Sequence, residues 1–216
     1  SGAFASLIPE LEAVPEVALW TADGIGTPDD TTRPELALSR RRNRLTTLFV
    51  DLEPGQARQT LGELRCSNRE IEWITHQVAC WHQLGPAIRE TMRAPGGAAD
   101  AEVRRWASVT GRTEFRDFAR VAAARWMAES SDDQGAPVAR AVASVFRRGM
   151  RAAYRDPIAL VDLAITGGDL MSAGVPPGPR LGALLRKLLD VVLQDPTRNQ
   201  RDTLLSLVRE WEGLAP

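Results

Sequence analysis

Lysine, cysteine and histidine are scarce in this sequence of 216 residues. Of its 27 cationic side chains only Lys187 is a lysine, and cysteine and histidine occur twice each. Two cysteines are too few for a disulfide framework, and they form no four-ligand zinc set with the histidines. Cys66 and Cys80 are therefore predicted to be reduced thiols. His76 and His82 lack an adjacent Asp, which excludes a metal-dependent phosphohydrolase of the HD type.

Long apolar runs and a charged leader followed by an apolar run are also missing, so the sequence predicts neither a membrane span nor a secretory signal. We therefore expect a cytoplasmic protein that does not bind a membrane. The chain begins Ser1-Gly2-Ala3 without an initiator Met, which predicts a piece of a longer protein. Its 44% hydrophobic and 25% charged residues are typical of globular domains, and its length fits one large domain or two small ones.

The sequence lacks the common hydrolase and nucleotide-binding motifs, which are the Gly-x-Ser-x-Gly, Walker A and Gly-x-Gly-x-x-Gly elements. Asp51-Leu52-Glu53 imitates the carboxylate pair that holds two magnesium ions in nucleotidyl transfer. Such a pair needs a Gly-Ser or Gly-Gly turn shortly upstream, where this chain has arginines. A helix end at Glu53 and a helix start at Pro54 fit better. No catalytic residue, metal site or cofactor site is predicted in this chain.

Apolar residues recur at helical spacing along the chain, and strand-like alternation with hairpin turns is absent. The prediction is an all-α protein, an irregular array of about ten helices, with a body-like region over residues 1–133 and a tail-like region over residues 134–216. We expect Gly85 to end one helix, Asp100 to cap another, and Asp156-Pro157 to start a short one. A strong later helix has its apolar face at Leu181, Leu184, Leu185, Leu188, Leu189 and Val192.

One predicted helix, over residues 137–155, has an arginine stripe opposite its apolar face. At 100° per residue its arginines fall in a sector about 100° wide, and no Asp or Glu lies between Gln134 and Arg155. Guanidinium groups without counter-charges favour a polyanion such as RNA, although a solvated surface is the alternative. The stripe comprises Arg140, Arg147, Arg148, Arg151 and Arg155.

Two further basic sites are weaker candidates. In the turn over residues 174–180, Gly174 and Gly178 precede a helix start beside Arg180, as in the phosphate sites of helix-hairpin-helix modules. Arg186 and Lys187 follow in the same helix. A second cluster, at residues 40–44, is denser in sequence, but helical geometry spreads it over about 200°. Residues 140–216 carry 11 basic and 8 acidic side chains, which also points to a polyanionic partner.

The order of residues near the C-terminus resembles a known family. DLAITGGDL at residues 162–170 and GVPPGP at residues 174–179, followed by Leu181-Gly182, closely resemble the C-terminal signature of bacterial class II tRNA nucleotidyltransferases and related poly(A) polymerases. RLTTLF at residues 44–49 and LRCSNREI at residues 64–71 are similar to the helical body of that family. LIPEL at residues 7–11 resembles the segment after its neck.

The resemblance implies a body and tail that bind tRNA, and a separate N-terminal head and neck that do the chemistry. Magnesium and CTP or ATP are expected only at that head and neck, whose motifs are missing here. VDLEP at residues 50–54 replaces the His-Asp motif of many relatives, so that metal site is lost. Two alternatives stay open: a helical protein-interaction domain, and a helix-hairpin-helix module that binds DNA through the turn over residues 174–180.

Overall fold

A computed structural model describes residues 34–94, 97–130 and 139–213, and it is all-α over these ranges, which confirms the predicted fold class. No strand occurs in the described residues, and none of their helices is long and apolar enough to cross a membrane. The helices are α1 (Pro34–Phe49), α2 (Pro54–Glu63), α3 (Asn68–Arg93), α4 (Asp100–Thr110), α5 (Phe115–Ser130), α6 (Ala139–Arg155), α7 (Gly167–Ser172), α8 (Pro179–Gln194) and α9 (Arg201–Glu212), with 3₁₀ turns at Leu160–Asp162 and Pro196–Arg198.

The chain forms two compact units. The first comprises the described residues of Ser1–Ala98 and Thr113–Arg147, and the second those of Ala99–Arg112 and Arg148–Pro216. The predicted division between body-like and tail-like regions falls within residues 131–138, outside the described residues, and stays a prediction. The segment at residues 7–11 that resembles the family also lies outside them.

In the first unit, α1, α2 and α3 share an apolar core. Pro54 starts α2, as predicted, because its missing N–H costs nothing at the first helical position. Ser67 and Glu70 form a capping box at the start of α3, where the Ser67 hydroxyl accepts from the Glu70 N–H and the Glu70 carboxylate accepts from the Ser67 N–H. The core contains Phe49, Ala57, Leu61, Ile71, Ile74 and Val78.

The prediction that Gly85 ends a helix is wrong, because α3 continues through Gly85 and Pro86 to Arg93. A Cβ atom at Gly85 would lie 3.1 Å from the Trp81 ring, so this glycine admits a bulky neighbour one turn earlier. Side-chain packing within the helix therefore explains why residue 85 is a glycine. A glycine selected for close approach looks the same in sequence as a glycine selected for a helix end.

Two predicted helix starts in the second unit are also wrong. The N-cap of α4 is Ala99, whose N–H donates to Glu102 at 2.8 Å, and the Asp100 carboxylate instead binds Arg148. No helix starts at Pro157; the chain forms only the 3₁₀ turn at Leu160–Asp162. The Asp162 carboxylate accepts from the backbone N–H groups of Ile158 and Ala159 at 2.9 Å each, which fixes this turn.

The core of the second unit lies between α7, α8 and α9. Thr166 starts α7 with a capping box, and Gly167 lets the start of α7 approach α8, since a Cβ there would lie 2.9 Å from a Leu181 methyl group. Gly213, at φ 62°, ends α9. The core contains Leu163, Ile165, Leu170, Val175, Leu184, Leu188, Val192, Leu204, Leu205 and Val208.

Two arginines of the second unit bind the carboxyl ends of helices that are distant in sequence. Arg104, on α4, donates to the backbone oxygens of Leu193 and Gln194 at 2.7 and 2.9 Å, which are otherwise unsatisfied acceptors at the end of α8. Arg112 donates to the Ala153 oxygen at the end of α6 and forms an ion pair with Asp162 at 2.7 Å. Positive charge at a helix C-terminus is stabilising, so these arginines have structural roles.

The lowered pKa of Asp169 predicts that the stability of the folded chain depends on pH. Hydrogen bonds from the Thr166 hydroxyl and the Thr166 N–H, followed by one from Arg201, lower the pKa of Asp169 from 3.8 to about 2. A lowered pKa in the folded state means that its contribution is present above pH 3.8 and is lost as the pH falls towards 2. In urea unfolding, the stability difference between the unmodified chain and Asp169→Asn should therefore shrink over that interval. A difference that grows on acidification would contradict this assignment.

Candidate nucleic-acid interface

Helix α6 presents arginine side chains to solvent. Arg147, Arg151 and Arg155 are exposed, and among the described residues none of the three takes part in an ion pair. Phe146, Ala152 and Ala153 are buried on the same helix. The amphipathic pattern therefore places the arginines where the sequence predicts. Arg140 lies in α6, but its side chain falls outside the described part of the structure.

Arg148 differs from these three exposed arginines. Its Nε donates to the Asp100 carboxylate at 2.8 Å, and its side chain is half-buried. The hydrogen bond and the charge of Arg148 hold the pKa of Asp100 below its usual value, with smaller contributions from Arg104 and Arg151. The premise that no counter-charge faces the stripe is wrong at this position, because the counter-charge comes from α4, 48 residues earlier in sequence.

The turn between α7 and α8 needs its two glycines for backbone reasons. Gly174 and Gly178 have φ values of 98° and 140°, which L side chains rarely adopt. Arg180, at the start of α8, forms an ion pair with Glu212 at 2.7 Å, and its side chain is largely exposed. This pair ties the start of α8 to the end of α9.

Of the two predicted cations further along α8, one has a structural partner. The Lys187 ammonium lies 3.7 Å from the centre of the Trp211 ring, a cation–π contact between α8 and α9. Arg186 is exposed. Both side chains are exposed, but Lys187 already has an aromatic partner, which Arg186 lacks among the described residues.

The arginine cluster at residues 40–44 is explained largely by the first unit's own structure. Arg41 pairs with Glu70 at 3.5 Å, and the Arg42 guanidinium lies 5.6 Å from the centre of the Trp73 ring. Arg44 is exposed, and the side chain of Arg40 lies outside the described residues. That this cluster is a weaker phosphate site than the stripe stays a prediction.

Asp51 and Cys80, two groups that could carry chemistry, both have partners within the first unit. Asp51 lies between α1 and α2 and pairs with Arg125 at 2.7 Å, as a helix-end residue rather than a strand-borne metal ligand. Cys80 lies 3.5 Å from His76 Nε2, but burial, followed by the charge of Glu114, raises the pKa of this thiol to about 11. A thiol with a raised pKa is a poor nucleophile. No group of three or more metal-ligating side chains occurs among the described residues.

Sequence reasoning missed one exposed aromatic residue on α6. Tyr154, the only tyrosine of the chain, has 56% of its surface exposed and lies between Arg151 and Arg155 in sequence. Its position on the helical wheel, about 60° from Arg151, was the available signal. The pattern of charged residues by itself does not indicate this tyrosine.

One comparison with known proteins finds a similarity in the C-terminal segment. Residues 154–208 match the family model of tRNA nucleotidyltransferase domain 2, which confirms the resemblance at residues 162–182. The resemblance of residues 7–11, 44–49 and 64–71 to the body of that family stays a prediction. The matched segment begins at Tyr154 and extends into α9, so it includes the turn between α7 and α8. No curated protein and no solved structure shows a significant match to the chain.

Proposed function

We propose that this chain is the RNA-binding part of a tRNA nucleotidyltransferase or poly(A) polymerase-like protein. The observation that carries the proposal is the family match over residues 154–208, in a segment whose exposed cations include Arg155 and Arg186. Structured RNA presents a dense array of phosphates, and arginine binds phosphate through two parallel hydrogen bonds. The exposed part of the stripe in the second unit, Arg151 and Arg155, is the proposed contact surface.

Catalysis in this proposal belongs to a head and neck that lie outside these 216 residues. Nucleotidyl transfer requires paired carboxylates that hold magnesium ions against the triphosphate. Asp51, the nearest sequence candidate, is held by Arg125 between two helices. Magnesium and CTP or ATP are therefore assigned to the parent protein's head and neck, and RNA to this chain.

Salt-dependent binding separates the proposal from its two alternatives. Affinity for a labelled tRNA transcript and for a blunt DNA duplex of similar mass would be measured by fluorescence anisotropy over a series of salt concentrations. The expected result is tighter binding of tRNA, with log affinity falling linearly against log salt. Equal or tighter binding of the duplex would favour a helix-hairpin-helix DNA module. Binding of neither would favour a protein-interaction domain and overturn the proposal.

A further inference from the structure

Tyr154 is an exposed aromatic side chain on a basic helix face. Tyr154 keeps 56% of its surface exposed, so burial in the core does not explain an aromatic residue here. The next exposed apolar side chains in sequence, Leu160 and Val161, follow in the 3₁₀ turn after α6, and Val161 is 90% exposed. The end of α6 and the turn after it thus present apolar surface to solvent beside exposed cations.

The backbone under Tyr154 is held firmly. Ala152 and Ala153 are buried, and Arg112 donates to the Ala153 oxygen and binds the Asp162 carboxylate, which in turn fixes the following turn. The helix end therefore cannot rotate to bury the tyrosine without breaking these contacts. Because the backbone is already held, a ligand that stacks on this ring need not order the helix end as well.

The charges beside the ring favour a nucleic acid over a protein. Arg151, three residues earlier, lies about 60° from Tyr154 around α6, and Arg155 lies about 40° beyond Arg151; both are exposed. Two acidic groups near this end of α6 are already engaged, since Asp100 is hydrogen-bonded to Arg148 and Asp156, which follows the helix, pairs with Arg104 at 3.6 Å. The sequence of α6 contains no acidic residue. Aromatic rings flanked by arginines bind unpaired nucleotides, because the ring stacks on the base while the guanidinium groups bind its phosphates.

We propose that Tyr154 is a stacking platform for an unpaired RNA base, with Arg151 and Arg155 binding the adjoining phosphates. The inference rests on the proposed RNA-binding function and makes it more specific. It assigns an unpaired loop or end, rather than the paired stem, to this surface. Paired bases are stacked on one another inside the helix and present no free face to the ring.

The single tyrosine allows a direct test in the full chain. Replacing tyrosine by 3-fluorotyrosine gives one ¹⁹F resonance, which reports Tyr154 alone. The probes are a tRNA transcript and a blunt RNA duplex of similar length. We expect the resonance to shift on saturation with the transcript and to stay within its free linewidth on saturation with the duplex. A transcript that binds without moving the resonance would overturn the inference and leave the proposed function intact.

Three substitutions test how much the Tyr154 ring contributes to RNA affinity while the neighbouring arginines stay in place. Tyr154→Ala should weaken binding to the transcript by roughly 5- to 150-fold, whereas Tyr154→Phe should retain most of the affinity. Tyr154→Leu is the matched control, because it keeps an apolar side chain without a flat ring, and it should behave like alanine. The slope of log affinity against log salt should not change in any of them, since all three variants keep the arginines that bind phosphate.

The remaining outcomes also decide the question. If Tyr154→Leu binds like the unmodified chain, the ring does not stack and the inference fails. If the ¹⁹F resonance shifts on raising the protein concentration without RNA, Tyr154 contacts a second copy and the inference again fails. If neither RNA binds at all, the proposed function itself is wrong. Circular dichroism melting curves would confirm that each variant is folded, as expected for an exposed position.

Discussion

Replacing Leu188 with alanine is expected to lower the free energy of unfolding by about 2 to 5 kcal/mol. Leu188 has no exposed surface and lies in the middle of α8, within the core that also contains Leu204 and Val208 of α9. Removing its branched end deletes buried apolar atoms and leaves a cavity that the surrounding helices fill only in part. Urea unfolding followed by circular dichroism would measure the change.

Leu185→Ala on the same helix is the matched control. It removes the same atoms, but Leu185 is only half-buried at the edge of the core, so we expect a loss of about 1 kcal/mol. The sequence places both leucines on one apolar face and does not separate them. Equal losses for the two substitutions would contradict the arrangement of α8 against α9.

Local signals in the sequence locate many of the helix ends. The capping boxes at Ser67 and Thr166 and the prolines at the first positions of α2 and α8 all mark helix starts in the structure. These signals depend on residues within one turn of the helix end, so a single sequence contains all the information they need. Gly213 works in the same way, because its left-handed backbone ends α9.

Contacts between residues distant in sequence could not be predicted in this way. Asp100 has the side chain of a helix cap, but it pairs with Arg148, 48 positions later. Arg104 and Arg112 belong to an arginine-rich composition, yet they bind backbone oxygens 89 and 41 positions away. Nothing in the local pattern distinguishes such arginines from solvated ones. Only the folded structure shows which arginines already bind a carboxylate or a backbone oxygen.

In the candidate interface, too, the sequence predicts local features but not contacts between residues that are distant in sequence. The 100° periodicity correctly predicts the orientation of Arg147, Arg151 and Arg155, because it depends only on the helix. It does not predict that Arg148 is engaged by α4, or that Lys187 lies against the Trp211 ring. The structure thereby reduces the number of cations without a partner, and it shows that Tyr154 on the same helix is exposed.

Replacing both Arg151 and Arg155 with glutamine is expected to weaken tRNA binding roughly 10- to 100-fold at low salt. Glutamine keeps a long polar side chain on the helix while each substitution removes one positive charge. The slope of log affinity against log salt should become shallower by roughly 0.7 to 0.9 for each phosphate that the variant no longer neutralises. Stability should change by less than about 0.5 kcal/mol, because both side chains are exposed and make no ion pair in the described part of the chain.

A second double variant, Arg198→Gln with Arg209→Gln, is the matched control for net charge. Both arginines are exposed and belong to the same unit, so the variant loses the same two charges at a surface outside the proposed interface. If the interface is on α6, the control should keep most of its affinity and nearly all of its salt slope. Equal losses in the two variants would show that tRNA responds to the overall charge of the unit rather than to α6. An unchanged slope in a folded Arg151 and Arg155 variant would remove α6 from the interface and leave the turn between α7 and α8, with Arg180 and Arg186, as the surface to test.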